Sequence, residues 1–209
     1  MKNRKGFTLI ELLAVITIMG ILMLVAIPAV SRTIENSRRD AYMDVVKAYI
    51  NTVRNAVLAD ELECEVDSKT VSVGGVPDGT YYFKISTVDG DPEEQQTGDI
   101  MESGGYSSWS NSDVKGYVKW VKEAHQTTPA SASASSSNES DYKTTTTYYA
   151  LLVDNGKHGL DTETEEMKIT RQKIKTKTSF AANTSSGNHF IPTVGSGSSA
   201  TTAVECTLK

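Results

Sequence analysis

The strongest constraint on this chain is an apolar segment close to its amino terminus. Between Phe7 and Val30 the only ionisable side chain is Glu11. A run of this length matches the roughly 20 residues that an α-helix needs to cross the hydrocarbon core of a bilayer. Residues 1–6 precede it and carry three basic side chains, which resist translocation. We therefore predict a membrane helix with a cytoplasmic leader and with the bulk of the chain outside.

Glu11 is the exception within this segment. A carboxylate near the start of a membrane helix is costly, so such residues usually face a partner rather than lipid. If the leader is cut between Gly6 and Phe7, the new α-amino group is a cation four residues before Glu11. The carboxylate of a neighbouring copy can neutralise that cation. The charge is then explained as an assembly device.

The start of the segment resembles the class III signal of type IV pilins and pseudopilins, in the residues Gly6-Phe7-Thr8-Leu9-Ile10-Glu11-Leu12. The resemblance implies that a prepilin peptidase cuts after Gly6 and that Phe7 is then N-methylated. It also implies that Glu11 pairs with the amino terminus of an adjacent subunit during filament assembly. The resemblance is confined to about the first 35 residues.

Two simpler interpretations of the segment compete with this one. A conventional secretory signal has an apolar core of about 7 to 15 residues followed by small residues at the cut. Ile27-Pro28-Ala29 is a poor version of that site, and the apolar run is too long for it. A plain anchor helix fits the length but gives no reason for Glu11.

A helical pattern follows the apolar run. From Ser31 onward, apolar residues recur every three or four positions, and polar side chains fill the positions between them. We predict one helix that continues to about Leu62, with an apolar half at 7–30 and an amphipathic half at 31–62 that packs on a head. The apolar positions of the second half are Ile34, Tyr42, Val45, Val46, Tyr49, Val53, Ala56 and Val57.

Two residues weaken the apolar half of the helix. In a helix interior a proline costs about 3 kcal/mol and a glycine nearly 1 kcal/mol. Gly20 and Pro28 also fall where type IV pilins carry a helix-breaking Gly and Pro. A lone membrane helix is expected to kink there, whereas the resemblance implies local melting or extension between the two residues in a filament.

Beyond Cys64 the patterns change to strands and loops. The strands are expected to form an antiparallel sheet on the amphipathic half of the helix, which makes the fold class α+β. The resemblance implies the αβ roll of type IV pilins. Within the head, residues 63–209, the Ser- and Thr-rich stretches 126–140 and 183–202 are predicted to be loops. Strand patterns occupy residues 80–88, 114–121, 144–153 and 167–178.

The two cysteines, Cys64 and Cys206, lie outside the cell in the orientation predicted above. An even pair in an exported domain favours a disulfide over a metal or redox site. By the loop-entropy model, a disulfide that closes so long a loop stabilises the fold by about 4 to 5 kcal/mol. The alternative is two unpaired buried thiols.

Charge and motifs argue against several function classes. Loss of the three leader cations leaves 18 basic against 26 acidic side chains, a net charge of −8. Such a surface disfavours nucleic acid as a partner. Neither a catalytic constellation nor a phosphate loop can be nominated, so we predict no enzyme and no cofactor. The oxygen-rich run 154–165 lacks EF-hand spacing, so we predict no metal. His125, His158 and His189 are expected to be exposed.

Four basic residues alternate along the last predicted strand: Arg171, Lys173, Lys175 and Lys177. On a strand, alternate residues share one face. One interpretation is a charged edge strand that resists unwanted pairing. The other is a basic stripe that grips an acidic neighbour or DNA.

These observations predict a prepilin whose mature form polymerises into an extracellular type IV pilus. The precursor spans the cytoplasmic membrane once. The implied partners are further copies of the chain, the prepilin peptidase, the pilus assembly platform and minor pilins, and the implied activities are adhesion and twitching motility. One alternative is a minor pilin or pseudopilin of a competence or type II secretion machine. An alternative of another class is a monomeric surface binding module on an uncleaved anchor.

Overall fold

A computed structural model describes residues 8–103, 113–126, 142–154, 158–176, 193–194 and 201–209. By its internal contacts the chain divides into two units, Met1–Ala41 and Tyr42–Lys209. We refer to the second unit, which extends the predicted head at 63–209 back to Tyr42, as the head from here on. Each unit is built around part of the same first helix.

Helix α1 runs over Leu9–Leu58 and continues through both Gly20 and Pro28. In the described part of the chain, it is the helix whose length and apolar composition suit a membrane crossing. Every side chain from residue 9 to residue 30 is exposed. The first unit therefore presents an apolar surface with no covering from its own side chains.

Within the head, α1 buries one stripe. The buried positions recur every three or four residues, which confirms the predicted amphipathic pattern. Ile34 lies outside the stripe and is 48% exposed, so its assignment to the packed face was wrong. The stripe consists of Tyr42, Val45, Val46, Tyr49, Ile50, Thr52, Val53 and Ala56.

The helix ends at Leu58, four residues before the predicted end at Leu62. Asp60 has a φ of 58°, in the left-handed region, and this conformation turns the chain out of the helix. Leu62 then begins the first strand. An apolar residue at position 62 continues the helical pattern, so the pattern alone could not locate this end.

The head contains a nine-stranded sheet and a second helix, α2, Glu94–Ser103. The sheet order is β2-β1-β11-β3-β4-β5-β6-β8, and β7 also pairs with β5. All pairs are antiparallel except β11 with β3, so the sheet is mixed rather than antiparallel as predicted. Strands β9 and β10 form a separate pair. The strands are β1 Leu62–Val66, β2 Lys69–Ser72, β3 Gly79–Ser86, β4 Val114–Gln126, β5 Tyr142–Asp154, β6 Gly159–Leu160, β7 Thr164–Glu165, β8 Ile174–Lys175, β9 Thr193–Val194, β10 Thr201–Thr202 and β11 Val204–Leu208.

Three of the four predicted strands are confirmed as β3, β4 and β5. The fourth, at 167–178, is wrong: 3₁₀ turns at Glu166–Lys168 and Arg171–Lys173 precede the two-residue β8. Both Ile169 and Ile174 are buried. They are five residues apart, and an odd spacing puts two residues on opposite faces of a strand, so the chain must turn between them.

Two further expectations need correction. The stretch 183–202 contains β9 and β10, while residues 183–192 and 195–200 lie outside the described residues. The stretch 126–140 is described only at its first residue, which ends β4. His158 is buried, and its ring lies 6.0 Å from that of Tyr42. Its predicted exposure was wrong, while His189 and the side chain of His125 lie outside the described residues.

The α1 stripe packs on one face of the sheet. Alternate residues of the central strands, such as Phe83 and Trp120, belong to this core, whereas Tyr82 and Tyr117 form a smaller cluster on the other face. Gly116 has a φ of 152°, and a Cβ at this position would lie 1.9 Å from the carbonyl oxygen of Leu151. Only glycine lets β4 and β5 approach so closely there.

The carboxyl terminus is attached to the region where α1 ends. Cys64 and Cys206 lie opposite each other in the β1–β11 register, with their Cα atoms 4.1 Å apart, and form a disulfide. This bond agrees with the predicted pairing. Nearby, Asp60 accepts hydrogen bonds from Gly74 N at 2.8 Å and from Lys209 Nζ at 3.0 Å.

Candidate assembly site at the start of the first helix

Of the predicted site residues, Glu11, Gly20 and Pro28 lie along α1. Glu11 is in its first turn, and Gly20 and Pro28 follow in the same helix. The cleavage and methylation positions, Gly6 and Phe7, lie outside the described residues. The disulfide belongs to the head and is a separate feature of the chain. Among the described residues, the candidate assembly site is therefore the first turn of α1.

Glu11 and Thr8 form a capping box. The backbone N–H of Thr8 donates to Glu11 Oε2 at 2.8 Å, and the Thr8 hydroxyl donates to the same oxygen at 2.9 Å. In return, the backbone N–H of Glu11 lies 3.4 Å from Thr8 Oγ1. This reciprocal arrangement satisfies amide groups that have no partner inside the helix, and it fixes where the helix begins.

Both bonds from Thr8 go to the same carboxylate oxygen. Oε1 of Glu11 takes part in neither of them, so the cap leaves one oxygen able to accept from a further donor. A carboxylate with a spare oxygen suits a short, charge-assisted bond to an ammonium group. The site can therefore bind a cation while it keeps its own helix cap.

The surroundings of Glu11 are apolar and exposed. Leu9, Ile10 and Leu12 are 82%, 71% and 64% exposed. When such a surface leaves water, a charge within it must be matched by an opposite charge. The anion thus specifies where a cationic partner must lie in any dry assembly of these helices.

The polar side chains near Pro28 are bonded to their own helix. The hydroxyl of Ser31 donates to the carbonyl of Ile27 at 2.9 Å, and that of Thr33 donates to the carbonyl of Ala29 at 3.1 Å. These bonds satisfy hydroxyl donors that would otherwise be lost in lipid. Residues in this part of the helix are therefore compatible with an apolar environment despite their hydroxyl groups.

Sequence reasoning identified Glu11 but missed Thr8. The signal was available, because a threonine followed three residues later by a glutamate is the spacing of a capping box. As for metals, no group of three or more His, Cys, Asp or Glu residues in the described ranges is arranged to hold an ion. What the geometry offers is an apolar surface with one positioned anion.

Comparison with known proteins gives one match. Residues 1–27 match the model of the prokaryotic N-terminal methylation motif, a stretch that includes Gly6, Phe7 and Glu11. No curated protein matches the chain, and no solved structure matches it. The match thus concerns the leader and the first part of α1 and does not extend to the head.

Proposed function

We propose that this chain, whose residues 1–27 match the prokaryotic N-terminal methylation motif, is a type IV pilin-like protein and a structural subunit of a type IV pilus. The observation that carries the proposal is the methylation motif joined to an exposed apolar helix with Glu11 in its first turn. The class III signal implies processing by a prepilin peptidase and assembly into a pilus-type complex. The apolar helix fits a membrane-anchored precursor.

Cleavage between Gly6 and Phe7 creates the cation that the site needs. The methylated α-amino group of Phe7 in one subunit donates to Glu11 of a neighbour. Oε2 of that Glu11 stays bonded to Thr8, and Oε1 accepts from the amine. The pair sets the axial position of one subunit against the next, because any other position leaves both charges unmatched in an apolar core.

The exposed apolar surface supplies the driving force. In the precursor, residues 9–30 lie in lipid, and in the filament the same residues pack against the helices of other subunits. Apolar area is kept from water in both states, so extraction from the membrane does not expose it. Within the filament, Gly20 and Pro28 mark the part of α1 that can melt at least cost.

The decisive experiment is Glu11→Ala in the full-length chain, expressed in a pilus-forming host. We expect the leader to be cut, Phe7 to be methylated and the disulfide to form. We also expect the yield of sheared filaments to fall at least about tenfold, since the neighbour's amine is left unpaired. Yields equal to those of the wild-type chain would contradict the proposed role of Glu11.

Two control variants separate assembly from helix stability. Thr8→Ala removes the hydroxyl part of the cap but leaves the carboxylate, so filaments should persist. Glu35→Ala removes a carboxylate of the same helix that pairs with Arg39 of its own chain at 2.9 Å. This variant should also assemble. Loss of filaments in all three variants would point to general damage to α1.

Two measurements distinguish the alternatives. A major subunit dominates sheared surface material, whereas a minor pilin or a pseudopilin of a competence or secretion machine is scarce there. The mass of the amino-terminal peptide addresses the anchored-module alternative. Retained Met1 supports that alternative, and N-methylated Phe7 supports the pilin. Adhesion and twitching motility are proposed only as consequences of a displayed, retractable filament.

A further inference from the structure

The two ends of the nine-stranded sheet carry opposite charges. Residues 61–67, which include β1, contain four acidic side chains and no basic one. Residues 170–176, which include β8, contain three basic side chains and no acidic one. In the sheet order, β1 and its neighbour β2 lie at one end and β8 at the other.

The acidic end presents its carboxylates on the face of the sheet opposite α1. In β1 the buried residues Leu62 and Cys64 alternate with Glu63 and Glu65, so both glutamates point away from the core. Glu205 of β11 lies on the same face and accepts from Tyr82 Oη at 3.1 Å. We call Glu63, Glu65 and Glu205 the acidic face.

A shallow groove runs along the acidic face. Its volume is about 580 Å³, and its lining combines the three carboxylates with the hydroxyls of Thr70 and Thr207. Glu205 is held by Lys84, at 3.0 Å. Within the described part of the chain, neither Glu63 nor Glu65 forms an ion pair. These two carboxylates are therefore available to a cationic surface.

The basic end presents Lys173 and Lys175, which we call the basic edge. Ile174 between them is fully buried, and both lysines are exposed. Neither forms an ion pair with any residue that the structure describes. Five other lysines of the head have carboxylate partners in their own chain, namely Lys84, Lys115, Lys119, Lys168 and Lys209.

The two surfaces match in spacing as well as in charge. Glu63 and Glu65 are two residues apart on β1, whereas Lys173 ends a 3₁₀ turn and Lys175 lies in β8, on either side of the buried Ile174. Two residues along an extended strand cover about 6.5 to 7 Å. The two glutamates are therefore about this far apart on β1, within the reach of two long, flexible lysine side chains that flank one buried residue.

We propose that the basic edge of one copy binds the acidic face of a second copy in the filament. The inference rests on the proposed function, since it requires copies of the chain to pack side by side. A contact between two different surfaces repeats without closing, which generates an open helical array. Paired charges at the rim of an interface mainly fix register and partner choice.

The net charge favours a second copy of the chain over nucleic acid as the partner of the basic edge. The mature chain has a charge of −8. Its overall field repels a polyanion, while an oriented neighbour offers the acidic face directly to the basic edge. Nucleic acid is the other outcome that the experiment must detect.

The test is a reciprocal charge swap in the full-length chain. Lys173→Glu with Lys175→Glu, and separately Glu63→Lys with Glu65→Lys, should each lower the yield of sheared filaments at least about tenfold. The four-site swap restores opposite charges and should return the yield to within about twofold of the wild type. A matched control, Asp99→Lys with Glu102→Lys on the exposed face of α2, should leave the yield unchanged.

A cross-linking experiment addresses the contact directly. Filaments are assembled from a mixture of isotope-labelled and unlabelled subunits and treated with a carbodiimide, which joins lysines to nearby carboxylates. We expect cross-links from Lys173 or Lys175 to Glu63 or Glu65 that combine one labelled and one unlabelled peptide. Cross-links that never combine the two labels would overturn the proposed contact.

The outcomes separate this inference from the proposed function. If the wild-type chain forms filaments and both double reversals assemble equally well, the inference fails while the pilus function stands. If the lysine reversal abolishes DNA retention and leaves filament yield unchanged, the basic edge serves nucleic acid instead. If the wild-type chain forms no filaments, the proposed function itself fails.

Discussion

At the scale of single residues, the proposed filament gives the Glu11 carboxylate both a local and an intermolecular use. Its Oε2 caps α1 through Thr8, and its Oε1 is the oxygen assigned to a neighbour. The local bonds hold the side chain in one orientation before assembly. Less conformational entropy is then lost when the amine of the next subunit binds.

Tyr49 offers a test of the head core. Its ring is fully buried in the α1 stripe, and its hydroxyl has no hydrogen-bond partner among the described residues. Burial raises the pKa of this hydroxyl to about 12, so it stays protonated at neutral pH. A buried donor without a partner is destabilising, and Tyr49→Phe should raise the free energy of unfolding by about 1 kcal/mol.

Urea unfolding of the full-length chain in detergent measures this difference. Tyr148→Phe removes the hydroxyl of another buried core tyrosine and serves as the matched control for the loss of a phenolic hydroxyl. A lower stability of Tyr49→Phe would indicate that the hydroxyl has a partner, such as a buried water.

Asp60 links stability to pH. Hydrogen bonds from Ser72, from the Gly74 N–H and from Lys209 lower its pKa from 3.8 to about 2. Between these two values the unfolded chain binds more protons than the folded chain, so the free energy of unfolding rises with pH. The contribution is complete above about pH 4 and is lost as the pH falls through about 2.

Asp60→Asn should therefore flatten the dependence of unfolding free energy on pH between about 2 and 4. Urea unfolding at a series of pH values measures the slope. Asp67→Asn changes an exposed acid in the following turn and should keep the wild-type slope. Equal slopes for the wild-type chain and Asp60→Asn would show that these bonds do not persist in solution.

At the scale of elements, the predictable parts are those whose pattern repeats within one segment. The stripe of α1 and the alternation in β4 are local, and both were identified from sequence. β1 and β11 are five residues each and acquire strand geometry by pairing with each other. Around β8 the sequence predicted too long a strand. The alternating lysines resemble a strand pattern, whereas the spacing of Ile169 and Ile174 requires a turn. In the assembly site, the apolar run and Glu11 were identified from the sequence. The orientation of the carboxylate was not, because it depends on the bonds from Thr8.

Besides their ladder of hydrogen bonds, β1 and β11 are joined covalently by the disulfide between Cys64 and Cys206. Replacing both Cys64 and Cys206 by serine should lower the free energy of unfolding by about 3 to 5 kcal/mol, because the unfolded chain regains the entropy of a long open loop. Hydrogen exchange should quicken most in β11, whose amides are held by β1 and β3. The reduced wild-type chain is the matched control and should behave in the same way. Unchanged exchange in β11 would show that strand pairing alone holds it.

At the scale of the whole molecule, two units serve two different environments. In the first unit, residues 9–30 are exposed and carry one ionisable side chain, Glu11. The head encloses its own core and carries charges at both ends of its sheet. In the proposed filament, the apolar helix drives association without sequence-specific contacts, and the charged pairs set the register. In the proposed filament, Glu11 and the edges of the sheet fix the same subunit at two separate points. A subunit that is misplaced at one of these points then also leaves charges unpaired at the other.

In the proposed assembly, removal of the leader determines when association can begin. While residues 1–6 are attached, the α-amino group is six residues further from Glu11, and three cations precede the apolar segment. Replacing Gly6 by leucine should block cleavage and hold the chain in the membrane, because the basic leader resists leaving the cytoplasm. The head should still fold and form its disulfide. Membrane fractionation, non-reducing electrophoresis and the yield of sheared filaments measure these three outcomes.

Asn3→Leu places the same side chain within the leader but away from the cut, so it should be processed and assembled normally. The comparison isolates cleavage from the added apolar side chain. If the uncleaved Gly6→Leu chain formed filaments, the cation that pairs with Glu11 could not be the new amino terminus. The apolar helix alone would then have to set the position of each subunit, and apart from Glu11 its residues 9–30 carry no ionisable side chain that could do so.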